Sequence, residues 1–504
     1  MTRLVLLSAV FWVAFSASLP AHAAPRPPVI LIVFDEFPVD SLRRVDGRLD
    51  AARYPAFGRL ARAATWFPNA FSAHDQTSHA LPAILDGRHP RRGARPVYTE
   101  HTENLFTLLA RHGYQVTASE PITNLCPPWT CPDSILGAPG PPPSFLSARA
   151  ARFKTMLQAI RPTRRPRFVF HHQILPHQPW EFLPSGRRYR GDPHPWESGL
   201  SSPRGFHDAF LTHQNQQRFL LQVGFVDREL GLLLDRLKRT GLFDRALLVV
   251  TADHGIGFDI GVSDRRAASQ ANIAEVAPVP FFVKAPHQHQ SRVRRAYVHA
   301  IDVLPTISDV LGLKLSGVVD GRSAFARRGA HTVRLPTFDI SRWTAIDPAQ
   351  LERARAANRR KQASLFGVGS RSLFEFGPLR GLLGKRVDAF RVKASPMTVD
   401  GLATERTFGP ESGRAPIWFT GRITGGRPGP THRLALAVNE SIAAVGRTFY
   451  LSDDPVERFS LLIPEAALRP GPNHATLYQV HRRTLRHLEE DPQPSKDRPA
   501  LPAP

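Results

Sequence analysis

The chain predicts an α/β protein: a layered sandwich around a mostly parallel central sheet, followed by a small C-terminal antiparallel β domain. Three observations point there. Residues 28–34 and 246–252 are bare apolar, β-branched runs, as strands buried on both faces of a parallel sheet must be. Strand and helix patterns alternate from about 25 to 328, as in layered α/β folds. From about 391 the texture changes to short alternating runs between Gly, Pro and Asn turns, the pattern of a β-sandwich.

The N-terminus has one basic residue, Arg3, ahead of an apolar run, then Ala21-His22-Ala23 before Ala24. It reads as a signal peptide, 1–23, cleaved after Ala23; an uncleaved anchor is the competing reading. Either way the body is expected outside the cytoplasm: periplasmic, extracellular or membrane-anchored facing outward. The first strand, 28–34, stops at Asp35 and Glu36. Thr77 opens a segment closed ten residues later by Gly87. Residues 102–111 form a helical run closed by Gly113, and 114–118 a strand. Cys126 and Cys131, the only cysteines, flank a short Pro-rich loop and are expected to be bridged in an oxidising compartment. Residues 137–144 form a proline loop.

Further along, 167–171 is another strand end, leading into His172, His177 and Trp180. The clearest helix spans about 215–239, with Phe219, Val223, Val226, Leu230, Leu233 and Leu237 on one stripe, and Gly241 stops it. The run from 246 ends in Asp253-His254-Gly255. Ligands bind beyond the carboxyl ends of strands in open α/β sheets, so Asp253 and His254 stand where chemistry is expected. Taken alone, Asp-His-Gly is also what a strand-end turn contains. Domain bounds follow: a catalytic domain at 25–328, a basic connector at 329–390 with a surface helix at 348–362, a β-sandwich-like domain at 391–483, and a disordered tail at 484–504.

With 504 residues, the chain is too long for one ordinary core. A hydrophobic share of 42% and a charged share of 22% belong to a globular protein. The net charge of +23, from 66 basic and 43 acidic residues, suits work beside anionic envelope material, a membrane surface included. Nucleic acid is excluded as a partner, because the chain is exported in character and carries no nucleic-acid-binding motif.

Taken together, the strand ending in Asp35, Thr77 ten residues before Gly87, and the later Asp253-His254-Gly255 resemble the alkaline phosphatase superfamily, specifically its sulfatase-like branch. The resemblance covers the catalytic domain. It implies an alkaline-phosphatase/sulfatase-like sandwich and one divalent metal ion (Mn, Zn, Mg or Ca) held by Asp35, Asp253 and His254, with Thr77 completing the cage. Glu36 is a further candidate ligand. Near a cation the Thr77 hydroxyl becomes a competent nucleophile towards phosphorus or sulfur. The alternative is that Thr77 only caps a helix, and Ser78 is the next hydroxyl. The segment 176–179 resembles the family's Pro-His-x-Pro element, so His177 is the candidate for contacting the transferred group or protonating the leaving oxygen. His172 and Lys284 are candidates for substrate binding, and Arg265 and Arg266 for anion contact.

One departure matters. Formylglycine sulfatases oxidise a Cys or Ser in a C/S-x-P-x-R segment, whereas this chain has Thr77-Ser-His-Ala-Leu, and threonine cannot become that aldehyde hydrate. Threonine with Asp-His resembles lipoteichoic acid synthases and phosphoethanolamine transferases instead. The function expected is therefore a phosphoester hydrolase or phosphoryl-substituent transferase acting on an anionic envelope glycolipid or polymer. The alternatives are a sulfatase without formylglycine and an inactive glycan-binding relative.

Overall fold

The computed structural model describes residues 26–132, 134–136, 146, 148–189, 208–261, 264–315, 317–326, 329–337, 339–377, 379–427, 429–451 and 455–491. The expected signal peptide, the proline loop at 137–144 and the tail from 492 lie outside the described residues. In chain order the first part contributes β1 (Val29–Asp35), α1 (Pro55–Ala63), β2 (Thr65–Trp66), β3 (Ala70–Phe71), α2 (Thr77–Asp86), α3 (Leu105–Arg111), β4 (Gln115–Glu120), β5 (Ile135–Leu136), α4 (Arg149–Ala159) and β6 (Arg167–Pro176). It continues with α5 (Ala209–Arg239), β7 (Leu247–Ala252), α6 (Ile273–Val276), β8 (Pro278–Val279), β9 (Phe281–Lys284), β10 (Arg292–Val293), β11 (Val298–His299) and α7 (Val303–Leu311).

The central sheet has the order β10-β2-β9-β7-β1-β6-β4-β5. Every residue of β1 is buried, which explains its unbroken apolar sequence. Its neighbours β6 and β7 both run parallel to it, so all three carboxyl ends open on one edge. Register then does the positioning. Phe34 pairs with Ala252 in β7, and Asp35 pairs with Pro176 in β6 across a local irregularity. Asp35, Asp253 and the loop carrying His177 are thereby placed side by side.

A hairpin of β12 (Val333–Pro336) and β13 (Trp343–Ile346) precedes α8 (Pro348–Phe366). The segment expected to be a connector is integral to the body. On α8, Arg355 and Arg359 are buried and bind Asp40, while Arg53 donates to the carbonyls of Phe366, Gly367 and Gly369. Basic residues that read as surface charge thus serve as internal fasteners.

The C-terminal strands are β14 (Arg391–Asp400), β15 (Glu405–Phe408), β16 (Trp418–Thr424), β17 (Arg433–Val438), β18 (Ser441–Arg447), β19 (Glu457–Leu462), β20 (Gly471–His481) and β21 (Thr484–Glu490). They form one sheet, β18-β17-β20-β21-β14-β16-β19, with β15 on β20. The pairing is antiparallel except for β14 with β21, which is parallel. Two expectations are corrected here. Residues 484–490 are a strand inside this sheet, with Leu485 and Leu488 buried, so the tail cannot begin at 484. The layer facing this sheet is also not a second sheet. Leu434 and Leu436 join the main core, whereas Ala435 and Ala437 pack beneath Leu382, Leu383, Val387 and Phe390. The helix α5 starts at Ala209, capped by Asp208, rather than at 215. Its extra turns reach this sheet: Phe210 stacks on Phe376 and Gln214 donates to the Ser460 carbonyl. No described helix is long and apolar enough to cross a membrane.

Cys126 and Cys131 are bridged, with Cα atoms 6.2 Å apart.

Candidate active site

Asp35 ends β1 fully buried, and neither of its carboxylate oxygens has a hydrogen-bond partner. Burial first, then the charges of Asp253 and Glu36, raise its pKa well above the usual carboxylate range. Across from it, Asp253 accepts the backbone N–H groups of His254 at 2.6 Å and Glu36 at 3.2 Å on Oδ1. Its Oδ2 accepts the Thr77 hydroxyl at 2.8 Å. His254 donates from Nδ1 to the Gly255 carbonyl at 2.9 Å. That bond fixes the tautomer and turns the bare Nε2 towards the site, 3.5 Å from Thr77 Oγ1 and 3.5 Å from Asp253 Oδ2. Ligand atoms of Asp35, Asp253 and His254 lie within 4.8 Å of one another. Asp35, Thr77, Asp253 and His254 therefore converge.

Local sequence explains how each arrives. Gly255 lies against α6, where a Cβ would stand 2.2 Å from the Glu275 carbonyl oxygen, so only glycine permits the turn. Thr77 is the first residue of α2, after Gln76 in the N-cap position, and its hydroxyl caps nothing: it is spent on Asp253. The helix-cap alternative for Thr77 is set aside on that geometry. Ser78 is the next residue along α2.

Glu36 takes a left-handed backbone conformation, φ 59°, rare for a non-glycine residue and typical of functional sites. Its carboxylate meets Arg265 at 2.7 Å, His177 at 3.4 Å and Arg266 at 3.8 Å. Burial works against its ionisation, but Arg265, His177 and Arg266 prevail and push the pKa down to about 2. Asp35, Glu36 and His177 make a second triple of ligand atoms within 4.8 Å, sharing Asp35 with the first. Glu36 is already paired with a guanidinium, however, so the orphaned charge sits on the Asp35–Asp253–His254 side.

The loop carrying His177 is pinned by Arg149 and Gln222, which donate to its carbonyl at 2.7 and 2.9 Å. His177 donates from Nδ1 to the Gln178 carbonyl, and its Nε2 lies 3.5 Å from Arg265 Nη2. Burial depresses its pKa to about 4. Trp180 packs on Phe219 and Phe258 and donates to the Pro176 carbonyl.

Two expected substrate contacts are corrected. Lys284 is buried at the far end of the sheet, paired with Leu248 near the start of β7, and its ammonium holds the carbonyls of Phe243, Asp244 and Ala246. It ties a turn rather than binding an anion. His172 is also buried, donating from Nδ1 to Glu120 at 2.9 Å and setting Nε2 3.7 Å from Asp35 Oδ2. It stands behind Asp35 instead of facing a substrate. Glu120, which orients it, was missed by the sequence reading; the same signal that marked Asp35, a strand ending in a carboxylate, was present at the end of β4.

The sulfatase family profile matches residues 27–313. Over 172 residues the chain is 27% identical to an endo-4-O-sulfatase of Bacteroides thetaiotaomicron, an alignment covering 32% of this chain and 33% of that enzyme, about a third of its length. Among solved structures, a phosphonate monoester hydrolase of Agrobacterium radiobacter superposes with a TM-score of 0.46 at 17% identity, covering 68% of this chain and 84% of that one. A further sulfatase-type structure from Bacteroides thetaiotaomicron gives 0.48 at 15% identity, over 62% and 78%.

Proposed function

The chain belongs to the sulfatase family, and we propose that it is an exported, divalent-metal-dependent hydrolase of sulfate or phosphate esters whose nucleophile is Thr77. The observation that carries the reading is the buried, unpartnered carboxylate of Asp35, set against Asp253 and His254, with Thr77 hydrogen-bonded to the same Asp253. An uncompensated buried charge costs several kcal/mol, so a carboxylate kept there fits a cation. Asp35, Asp253, His254 and Thr77 would hold it, and their oxygen and imidazole donors suit Mn, Zn, Mg or Ca. When bound, the ion supplies positive charge that acidifies a nearby hydroxyl and offsets charge on the ester oxygens.

The chain's own groups do the rest. Thr77 already donates to Asp253 Oδ2, so a carboxylate is in place to take its proton as Oγ1 attacks sulfur or phosphorus in line; the S–O or P–O bond to the alcohol breaks, and the leaving oxygen takes up that proton and departs as the free alcohol. The start of α2 offers backbone N–H groups to anionic oxygens. Arg265 and Arg266, gathered by Glu36, bring cationic charge to the same edge. His177 is neutral near pH 7 with its proton committed to Gln178, so it serves as an acceptor at Nε2. That suits taking a proton from the water that resolves the covalent ester, more than protonating the leaving oxygen. Export is supported by the N-terminal segment and by the Cys126–Cys131 bridge. The basic surface favours an anionic envelope glycolipid or polymer as substrate.

The test is turnover of aryl sulfate, phosphate monoester, phosphodiester and phosphonate monoester substrates after reconstitution with each metal. Thr77→Ala is expected to lose about 10³-fold or more in turnover, because an activated nucleophile carries most of the rate. Thr77→Ser keeps the hydroxyl and should retain measurable activity. Near-normal turnover by Thr77→Ala on the preferred ester sinks the mechanism and makes Ser78 the next residue to test.

A further inference from the structure

A cleft of about 880 Å³ is not lined by Thr77, Asp253 or His254. Its lining takes Ala73 and His89, which flank α2 in sequence, with the segments either side of α7 and the β12–β13 hairpin. That hairpin buries Val333, Leu335 and Ile346 on its inner face. By strand alternation its outer face presents Arg334 and Trp343, and Trp343 is 47% exposed despite its size. Among the described residues no carboxylate or carbonyl engages the guanidinium of Arg334 or of Arg322, and both line the cleft. His299 and His331 face each other across it, Nε2 to Nε2 at 2.7 Å, with their rings stacked at 5.0 Å.

The wall is built rather than incidental. Buried Asp302 accepts the backbone N–H of His299 and of Arg322, each at 2.8 Å, and so fastens both sides to one carboxylate. The loop bearing Asp320 and Arg322 is tied to the end of α2 through the Gly87 carbonyl, which accepts from Asp320 and Gly321. A Cβ at Gly321 would stand 2.0 Å from the Ile301 carbonyl oxygen, so glycine is what lets the loop lie this close.

We propose that this cleft is a binding site for an anionic saccharide unit, a second unit of the substrate whose ester is cleaved at Thr77. An exposed indole offers a flat face for a sugar ring, two unpaired guanidiniums suit sulfate, phosphate or carboxylate groups, and Asp320 offers an acceptor for hydroxyls. The size fits, since ligand clefts run about 300–1,000 Å³. The distance fits too: Ala73 precedes Thr77 by four residues, so their Cα atoms are at most about 14 Å apart, the reach of a few sugar units. That the occupant belongs to the substrate rests on the hydrolase reading; binding itself is measured without turnover.

The experiment is calorimetric titration of the full chain with a chondroitin sulfate tetrasaccharide and with neutral cellotetraose. The charged sugar should bind, the neutral one at least tenfold more weakly, as expected when charge-assisted contacts dominate. Arg322→Ala/Arg334→Ala and, separately, Trp343→Ala should each weaken the charged sugar about tenfold, and the arginine variant should also lose salt dependence. Equal affinity in wild type and both cleft variants overturns the proposal, as does the absence of binding or equal binding of cellotetraose. Failure of the hydrolase reading appears elsewhere, as no turnover of any of the four ester classes by the wild type with any of the metals, and leaves this titration unaffected.

Discussion

Replacing Asp35 by Asn separates a cation site from a merely structural carboxylate, because the two roles give opposite signs. Without a cation, three carboxylates converge at the edge of the sheet, and only Glu36 has a close guanidinium, Arg265 at 2.7 Å. Asp35 is fully buried, both its oxygens are orphaned, and Asp253 adds like charge. Ions buried in proteins carry penalties of several kcal/mol, so deleting this one should stabilise the metal-free chain by about 1–3 kcal/mol. At roughly 1 °C per kcal/mol for a protein of this size, Tm in EDTA should rise by about 1–3 °C. A cation at 100 times its Kd stabilises the wild type by about 2.7 kcal/mol, and Asp35→Asn should lose most of that response. Scanning calorimetry in EDTA, then with Mn²⁺, Zn²⁺, Mg²⁺ and Ca²⁺ in turn, reads both numbers. If Asp35→Asn melts below the EDTA-treated wild type and both respond equally to cations, the site does not hold a metal and Asp35 is there for folding.

Three other perturbations have definite expected outcomes. Glu229, buried and accepting from Gln173 at 2.5 Å, has its pKa pushed up to about 8 by burial, so the folded state keeps a proton that the unfolded chain releases above about 4.5. Stability should therefore fall as pH rises from about 4.5 to 8, by on the order of 5 kcal/mol at full extent. Glu229→Gln should remove that slope, and melting curves at pH 5 to 8 with no change in the variant's advantage would refute it. Gly255→Ala must push a methyl into the Glu275 carbonyl at 2.2 Å and the Val276 carbonyl at 2.9 Å, so a loss of about 3 kcal/mol or more, seen by denaturant titration, is expected. Lys284→Met strips the ammonium from three carbonyls and should cost about 2–4 kcal/mol while leaving KM for the ester unchanged. A raised KM with normal stability would restore Lys284 as an anion contact.

Much of this was legible in one dimension because it depends on local chemistry. An unbroken apolar run must be a strand buried on both faces, and a carboxylate at its end must stand at the sheet's edge, which is why Asp35 and Asp253 could be named from the sequence. The resemblance to sulfatase-like enzymes, through its spacing to a glycine, singled out Thr77, and Gly87 indeed ends α2 with φ 69°. What the sequence could not carry were partners chosen across tens to hundreds of residues. Glu36 with Arg265, His172 with Glu120, and Arg355 with Asp40 are pairs in which each member alone looks like surface charge or a free ligand. Lys284 shows the same limit from the other side: a lysine at a strand end invites an anion, and only the turn packed against it turns its ammonium to three carbonyls. Secondary structure and the identity of the strand-end groups follow from neighbours in sequence. Which charges are neutralised, and which one is left for a cation, is decided by register and packing, because electrostatic partners are selected by distance in space.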